Sequence, residues 1–353
     1  MTKLKKGAYF TDIHFGKKQN SRVHNQDCLD FIDWFCEQVK KDPEIDYIAF
    51  LGDWNENRSA LNISTVNYSH KGITKLCSLG LPVYFVIGNH DLYHRHTREV
   101  HSVITHDAFK NLHIIDQPTI VDDIEGSVMF CPFMFPQEYP DLVKYLDVPF
   151  WAGHFEFKGF LVTGYNLRMP HGPDPDDFKG PNHIVSGHFH TRQAAGNVVY
   201  MGNAFPMDFN DAGDFARGMM TYDHKKDEML FEDWPNCPKY IKTLLSDLMT
   251  DKVTLYPQSR VKVCVDIPIT FEESGELREL FKTKYELREF TLEEMSDLKE
   301  VLADTETEEI DWENVDLADP DDLVIKMLED IESDEIDNNT MIAIYATLKT
   351  EEK

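Results

Sequence analysis

Short apolar runs with the character of β-strands alternate with helical stretches over the first two thirds of the chain. Helices are predicted at about 25–40, where Leu29, Ile32 and Phe35 recur at helical spacing, and at about 64–79 and 97–109. Strands separated by helices, followed mostly by strands, favour an α/β fold, a two-sheet β-sandwich flanked by helices. The predicted strands are Gly7–Thr11, Tyr47–Leu51, Val83–Ile87, Leu112–Ile115, Ser127–Cys131, Trp151–Gly153, Phe160–Thr163, His183–Ser186, Val198–Met201, Met219–Tyr222 and Met229–Phe231.

This pattern breaks at Trp234-Pro235-Asn236-Cys237-Pro238, where two prolines in five residues predict a domain boundary. Beyond it, a strand at Arg260–Ile267, a helix at Glu272–Lys282 and a strand at Tyr285–Phe290 indicate a small βαβ module. We therefore expect a main domain at 1–235, the module at 240–292, an acidic linker at 293–317 and a helical segment at 318–353.

The C-terminal segment is predicted to contain two amphipathic helices. Asp319-Pro320 supplies an N-cap and a first-turn proline. The apolar stripe of the first helix consists of Leu323, Val324, Met327, Leu328 and Ile331, and a second helix covers about 338–348. Such a stripe fits either the groove of a partner or the surface of its own domain, and both interpretations stay open.

The net charge of −28 is unevenly distributed. Residues 290–353 carry 22 acidic and 4 basic side chains, whereas residues 1–289 carry 41 and 31. The acidity therefore belongs mainly to the C-terminal segment and does not exclude DNA as a substrate. Six scattered cysteines without CxxC spacing, no secretory leader and no apolar run of about 20 residues predict a reduced cytoplasmic protein that does not enter a membrane.

Polar residues with the chemistry of metal ligands follow five of the strand-like runs. Active groups of open α/β sheets collect beyond the carboxyl ends of the strands, so these residues are expected at one rim. Singly each motif is weak, but their order and strand context together predict a metal site. The five motifs are Asp12-x-His14, Gly52-Asp53, Gly88-Asn89-His90-Asp91, Gly153-His154 and Gly187-His188-Phe189-His190.

Imidazole combined with carboxylate selects manganese, iron or zinc over magnesium or calcium. A carboxylate can bridge two ions, and the Asn89 amide adds a neutral oxygen ligand. Two ions about 3.5–4 Å apart activate a water and hold the attacking and leaving oxygens of a phosphoryl displacement. The motifs thus predict a two-metal phosphoester hydrolase.

In order and spacing, these motifs resemble those of the calcineurin-like metallophosphoesterases. The resemblance implies that Asp53 bridges two metals. It implies that the ligands of one metal are Asp12, His14, Asp53 and His190, and that those of the other are Asp53, Asn89, His154 and His188. It further implies that His90 acts on the phosphate or the leaving oxygen, and that Asp91 orients His90.

The second motif, Gly52-Asp53-Trp54-Asn55-Glu56-Asn57-Arg58, lacks the GDxVDRG run of Ser/Thr phosphatases. The third motif ends in Asp91 rather than Glu. The domain plan instead resembles the SbcD-type DNA double-strand-break repair nucleases, with the nearest likeness to their bacteriophage recombination nuclease subunits. Supporting blocks are Gly153-His154-Phe155-Glu156, Ser186–Thr191 and Asn197–Gly202.

The resemblance implies a manganese-dependent exonuclease on double-stranded DNA that also acts as a single-strand endonuclease in recombination, repair or replication. It implies a homodimer beside an SbcC-type SMC-like coiled-coil ATPase. The module at 240–292 would be a capping domain that positions DNA, and 318–353 would bind the ATPase. Two alternatives remain: a phosphodiesterase or phosphatase of nucleotides or small molecules, and a scaffold for DNA ends with an idle metal site.

One position departs from the family pattern. Cellular members often have a histidine three residues after the bridging aspartate, and this chain has Glu56 there. A glutamate can position water or an ion but cannot donate as imidazolium, which puts the strength of exonuclease activity in doubt. Loop cations after the first three motifs could hold DNA phosphates or be surface charge; they are Lys17, Lys18, Arg22, Arg58, Arg95 and Arg98.

Overall fold

The computed structural model describes residues 3–106, 108–162 and 167–294. They form a sandwich of two six-stranded sheets and a separate three-stranded sheet. This confirms the predicted α/β class and the two-sheet sandwich flanked by helices. The predicted linker beyond residue 294 and the predicted helices at 318–353 lie outside the described residues.

The first sheet has the order β12-β11-β1-β2-β3-β4. Its strands are β1 (Lys6–Phe10), β2 (Tyr47–Leu51), β3 (Val83–Val86), β4 (Leu112–Ile115), β11 (Gly218–Asp223) and β12 (Glu228–Asp233). Strands β1 to β4 are parallel, whereas β11 and β12 are antiparallel to their neighbours. The carboxyl ends of β1, β2 and β3 therefore share one edge.

The second sheet has the order β5-β6-β7-β8-β10-β9. Its strands are β5 (Thr119–Val121), β6 (Val128–Cys131), β7 (Phe150–Gly153), β8 (His183–Ser186), β9 (Gln193–Ala195) and β10 (Val198–Tyr200). The four central strands are parallel, and the two edge strands, β5 and β9, are antiparallel to them.

Alternate residues of β1 show how the sandwich is built. Ala8 and Phe10 pack in a core formed with the helices, and Tyr9 packs in the core between the two sheets. The ring of Phe10 lies 4.6 Å from that of Phe35 and 5.0 Å from that of Phe50. Burying side chains on both faces of a strand produces an almost continuous apolar run, which is why these strands were recognisable from sequence.

Two long helices cover the first sheet: α2 (Arg22–Lys41) and α3 (Ile63–Cys77). Each begins at a residue whose side chain caps it, Ser21 and Asn62 respectively. Before α2 lies a four-residue turn, α1 (Lys17–Asn20), with left-handed backbone at residues 18–20. Short 3₁₀ segments occur at Asn89–Asp91, Ser102–His106, Pro136–Tyr145, Pro175–Phe178 and Phe209–Asp211.

The third sheet has the order β13-β14-β15 and is entirely parallel. It comprises β13 (Tyr240–Leu244), β14 (Arg260–Val265) and β15 (Glu289–Glu294), joined through α4 (Leu245–Met249) and α5 (Phe271–Lys284). Several polar contacts attach it to the sandwich, one of them a hydrogen bond from the Gly213 N–H to the Tyr240 carbonyl oxygen at 3.1 Å. The Arg288 guanidinium pairs with the Asp27 carboxylate at 2.7 Å, and the Lys18 ammonium donates to the Tyr240 hydroxyl.

The predicted helix at 97–109 is wrong, because only Ser102–His106 forms a 3₁₀ segment. Residues 92–101 instead fold back on themselves, with a bridge between Leu92 and His101 and a hydrogen bond from Tyr93 N–H to Val100 O. The Arg98 guanidinium donates to the carbonyls of residues 116 and 133, which holds this loop away from helical geometry.

The predicted strand at Phe160–Thr163 is also wrong for its described residues. Phe160 is buried in the core on the outer face of the second sheet, and Leu161 makes a single bridge to Arg168. In the third sheet the last strand lies four residues later than predicted, because Glu286 has a positive φ of 52° and the chain becomes extended only beyond it. Three strands were not predicted from the sequence: β5, β9 and β13.

Each of the six cysteines is a buried free thiol. None of the helices in the described part of the chain has the length and apolarity that a bilayer crossing requires.

Candidate metal centre

The residues of the five motifs meet at the carboxyl ends of five strands. Asp12 and His14 follow β1, Asp53 follows β2, and Asn89 to Asp91 follow β3. From the second sheet, His154 follows β7, and His188 and His190 follow β8. Because these strands are parallel within each sheet, their ends bring the side chains together, as the sequence analysis predicted.

The backbone at this rim adopts left-handed conformations that non-glycine residues rarely occupy. Asp12 has a φ of 49°, His14 of 51°, Asp53 of 62° and His188 of 87°. Such conformations cost about 1–3 kcal/mol each and persist only where the surroundings enforce them. Four strained residues at one place therefore indicate a site selected for its geometry.

Two motif glycines allow the loops to approach each other. A Cβ at Gly88 would overlap the carboxylate and amide nitrogen of Asp53. A Cβ at Gly187 would overlap the Thr11 hydroxyl and one oxygen of Asp12, which would separate the rims of the two sheets. A side chain at either position would push an expected ligand out of place.

Asp91 connects the loop after β2 to the loop after β3. Its fully buried carboxylate accepts hydrogen bonds of 3.0–3.1 Å from the N–H groups of Asp53, Trp54, Asn55 and Gly88. Burial and the charge of Asp53 raise the pKa of Asp91. The expectation that Asp91 orients His90 is corrected: these hydrogen bonds fix the backbone on which the expected ligands stand.

His90 is held by two other contacts. Its N–H donates to Asp53 Oδ1 at 2.8 Å, and its ring Nδ1 donates to the Glu56 carbonyl oxygen at 3.0 Å. Because a carbonyl oxygen can only accept, Nδ1 carries the proton and Nε2 is left for a substrate. The side chain is 35% exposed, and burial lowers its pKa.

The first group of converging atoms consists of Asp12, His14 and His190. The Nε2 atoms of His14 and His190 lie 3.2 Å apart, and each lies 3.7–3.8 Å from Asp12 Oδ1. Asp53 Oδ2 lies 3.7 Å from the same Nε2 of His14. These separations suit four ligands arranged around one cation.

The second group lies on the other side of Asp53. His154 Nε2 is 3.5 Å from Asp53 Oδ1 and 3.0 Å from Asn89 Oδ1. His188 Nδ1 is also 3.0 Å from Asn89 Oδ1. The two oxygens of Asp53 thus face different groups, which is the arrangement expected of a bridging ligand.

The proton positions provide a test of whether a cation fits. His154 Nδ1 lies 2.7 Å from the Leu51 carbonyl oxygen, so the neutral ring, the form that binds a cation, carries its proton on Nδ1 and presents a lone pair on Nε2. That lone pair faces the oxygens of Asn89 and Asp53, which are acceptors as well. Acceptors that converge without a donor between them fit a divalent cation.

The electrostatics agree with this test. Burial disfavours the charged form of His14, but the carboxylates of Asp12, Glu56 and Asp53 outweigh it and raise the pKa of His14 to about 10. In the same way, Asp53 and Asp12 outweigh burial and raise the pKa of His154 to about 9. The pocket therefore has an excess of negative charge that bound cations would neutralise.

Glu56 lies beside the first group. Its Oε2 is 2.7 Å from His14 Nδ1, and its Oε1 is 3.7 Å from the Lys17 ammonium. Burial opposes ionisation of Glu56, but His14 lowers its pKa to about 2. The position that departs from the family pattern is therefore a carboxylate in contact with an expected ligand.

The loop cations divide into two sets. Lys17 lies near the centre, with its ammonium between Glu56 and Asp208. Lys18 contacts Tyr240 of the third sheet instead, where burial lowers its pKa to about 8. Arg98 pairs with Glu138 at 2.7 Å, so it holds a loop.

Of the other three candidates, Arg22 and Arg95 are exposed. Arg58 is half-buried, which lowers its pKa, and it interacts electrostatically with Asp53 and Arg95. Sequence reasoning gave no role to Glu156, whose Oε2 lies 3.0 Å from His188 Nε2. The only signal for it was an acidic residue two positions after His154.

The profile of the calcineurin-like phosphoesterase family matches residues 8–192, which is more than half of the chain. This chain belongs to that family, and all seven expected ligands lie within the matched region. The family uses a site with two metals, and the clusters described above form such a candidate site.

Among curated proteins, the chain is similar to exonuclease subunit 1 of Enterobacteria phage T4. The two are 27% identical over 224 residues, which is 62% of this chain. The match spans 65% of the length of that relative, slightly less than two thirds.

Two solved structures are also similar. An archaeal phosphodiesterase is 12% identical, with 65% of this chain and 99% of that chain covered and a TM-score of 0.35. A dimetal phosphatase from Danio rerio is 9% identical, with 65% and 96% covered and a TM-score of 0.38. With TM-scores this low, the family assignment rests on the sequence profile.

Proposed function

We propose that the protein is a two-metal DNA nuclease that acts as one subunit of a larger enzyme. The observation that carries the phosphodiesterase chemistry is the placement of the Asp53 carboxylate. Its two oxygens face two separate groups of metal-ligating atoms. The similarity to a phage exonuclease subunit supports DNA as the substrate.

In this proposal Asp53 is shared by the two metals. The remaining ligands of one would be Asp12, His14 and His190, and those of the other Asn89, His154 and His188. Bound cations, manganese or magnesium, would supply Lewis-acid activation of water and neutralise phosphate charge. The chain keeps the ligand atoms in place, because the strained loops are tied by Asp91.

His90 would act on the substrate through Nε2, because its Nδ1 proton is held by the Glu56 carbonyl. A ring fixed in this way can stabilise charge on the phosphate or pass a proton to the leaving oxygen. Its partial exposure leaves room for a phosphodiester.

Three loop cations are available to hold DNA phosphates beside the centre: Lys17, Arg58 and Arg95. Such contacts position the backbone without reading bases, which suits a nuclease without sequence specificity. Arg22, which is exposed and lies five residues after Lys17, would contribute to the same surface. Lys18 and Arg98 are left out of this proposal because each is engaged elsewhere.

The partner proposals rest on the family resemblance. The third sheet would cap the site as a domain of residues 240–292, and residues 318–353 would bind an SMC-like ATPase of the SbcC type, with the subunit forming a homodimer. The name of the phage relative describes a subunit, which supports a partner-dependent enzyme. Double-strand exonuclease and single-strand endonuclease activities are both included in the proposal.

The substrate class can be tested with a DNA hairpin and a chromogenic phosphodiester, each assayed with Mn²⁺. We expect cleavage of the hairpin, and we expect His190→Gln to lose it, which excludes a contaminating nuclease. Release of nitrophenol while DNA stays intact, even with the ATPase present, would overturn the nuclease assignment in favour of a small-molecule phosphodiesterase. Metal binding without hydrolysis of either substrate would favour a DNA-end scaffold.

The partner can be tested by deleting residues 318–353. The shortened chain should bind two metals but fail to co-purify with the ATPase. If it still retains the ATPase, the docking proposal is wrong.

A further inference from the structure

Glu156 makes a contact that the proposed chemistry does not use. Its Oε2 lies 3.0 Å from His188 Nε2, while the other nitrogen of that ring, Nδ1, faces Asn89 Oδ1 at 3.0 Å. A carboxylate oxygen accepts the hydrogen bond from the ring at this distance, so it selects the tautomer of His188 with the proton on Nε2. The Nδ1 lone pair is then directed toward the centre.

The position of Glu156 is itself fixed by the second sheet and its surroundings. The N–H of Phe155 donates to the Ser186 hydroxyl, that of Glu156 to the Tyr139 hydroxyl, and that of Phe157 to the Tyr200 hydroxyl, at 2.8–3.1 Å. Three consecutive backbone groups are thus held by side chains from other elements. A carboxylate on such a segment is positioned before any metal binds.

His188 needs this support more than His154 does. His154 is fully buried, and the Leu51 carbonyl already fixes its tautomer. The side chain of His188 is 14% exposed, and its backbone has a φ of 87°. Without Glu156, the ring could rotate or bind its proton on the nitrogen that faces the metal.

We propose that Glu156 is the positioning residue of the second metal subsite, where it holds the His188 ring with Nδ1 free to bind the cation. This rests on the proposed two-metal function. Carboxylates that receive the outer N–H of a ligand histidine raise its basicity, and their loss costs about 10–100-fold in metal affinity.

The test uses Glu156→Gln in the full chain. Glutamine has the same size, but it can pair with either tautomer of His188, so the selection is lost. We expect one of two Mn²⁺ ions to bind at least about tenfold more weakly in calorimetric titration. The electron paramagnetic resonance signal of a coupled manganese pair should appear only at higher metal concentration.

His171→Gln is the matched control. His171 Nδ1 lies 3.4 Å from the other oxygen of Glu156, and its side chain is 54% exposed. Its replacement removes a partner of Glu156 without touching the bond to His188, so both ions should bind as in the unmodified protein. The thermal unfolding temperature of metal-free Glu156→Gln should also be unchanged.

The possible outcomes separate the two proposals. If the unmodified chain does not bind two ions, the proposed two-metal function itself fails. If it binds two and Glu156→Gln binds both equally well, only the role of Glu156 is refuted. A weakened ion accompanied by an equal loss of metal-free stability, or the same weakening in His171→Gln, would reduce Glu156 to a structural residue.

Discussion

The two sheets of the sandwich contribute different chemistry to one centre. The first sheet supplies oxygen atoms from Asp12, Asp53 and Asn89, together with His14, whereas the second sheet supplies only histidines. A carboxylate presents a lone pair in any rotamer, but an imidazole must also have its proton on the correct nitrogen. We call the carboxyl edges of the first and second sheets the first rim and the second rim. The second rim therefore depends more than the first on hydrogen bonds to the ring nitrogens that do not face the metal site.

The loops of the two rims are also held differently. Asp91 ties the loops after β2 and β3 through hydrogen bonds to their backbone N–H groups. On the second rim, Glu156 holds His188 through its side chain. Oxygen ligands are therefore positioned by a fixed backbone, whereas imidazole ligands also require the orientation of the ring to be fixed.

Asp53→Asn should have the largest effect, because the two oxygens of Asp53 face different ligand groups. We expect loss of the second metal ion and a fall in cleavage of about 10²–10³-fold or more. Metal content after dialysis and rates at saturating Mn²⁺ would measure this. If this variant binds two ions tightly, Asp53 is not the ligand that the two metals share.

His90→Ala should separate catalysis from metal binding. Its ring lies 5.0 Å from that of His14 but belongs to neither ligand group in the proposal, so both metals should stay bound. Cleavage should fall by about 10²–10⁴-fold, the usual contribution of a positioned acid or base. Rates at equal metal occupancy are the measurement, and an unchanged rate would contradict the proposed role.

Asp91→Asn tests the backbone tie of the first rim. An amide offers one acceptor oxygen and brings its NH₂ group against N–H groups that need acceptors. We expect a loss of about 3 kcal/mol in the free energy of unfolding, since buried hydrogen bonds to a charged group are broken. Urea unfolding of the metal-free chain gives the value. If Asp91→Asn lowers the free energy of unfolding of the metal-free chain less than Glu156→Gln does, the proposed difference between the two rims is wrong.

Protonation of His24, which contacts the loop after β1, should make the free energy of unfolding depend on pH. His24 is buried and donates from Nε2 to the His14 carbonyl at 2.9 Å, and burial lowers its pKa to about 3. Between pH 6.5 and 3 the unfolded chain binds a proton there that the folded chain does not, so stability falls as pH falls. His24→Gln should recover about 2 kcal/mol of the loss between pH 7 and 5. An unchanged pH slope of the unfolding free energy would contradict this.

Glu56→Gln should have the smallest effect. It is the counterpart, at the first ligand group, of Glu156→Gln at the second. Glu56 contacts His14 Nδ1, so its charge supports the first ligand group. We expect the ion of that group to bind about tenfold more weakly, while the ion affected by Glu156→Gln keeps its affinity. The double variant should weaken both ions. If both single variants weaken the same ion, the two glutamates do not act on separate subsites.

The convergence of the expected ligands could be predicted from sequence because each follows a run of apolar residues that marks a strand end. Seven residues from five loops converge as the motif order indicated. What holds them could not be predicted in the same way. Asp91 was assigned to a ring next to it in sequence, but its carboxylate reaches backbone about 37 residues earlier, and no periodicity encodes that contact.

The errors in the fold have a similar origin. The loop at 92–101 has helix-compatible residues, yet Arg98 fixes it by bonds to residues 116, 133 and 138. The missed edge strands β5 and β9 have only three residues each, too short for an alternating pattern to be distinguished from a loop. Tertiary contacts, rather than local preference, decide these segments.

The four N–H groups held by Asp91 have a consequence for the order of assembly. They are satisfied by the chain alone, so the rim takes its shape as the protein folds, before any cation arrives. A cation that enters then meets ligands that require little reorganisation, and little of its binding free energy is spent on ordering loops. The protein would therefore be able to exchange bound cations with the surroundings while its fold stays intact.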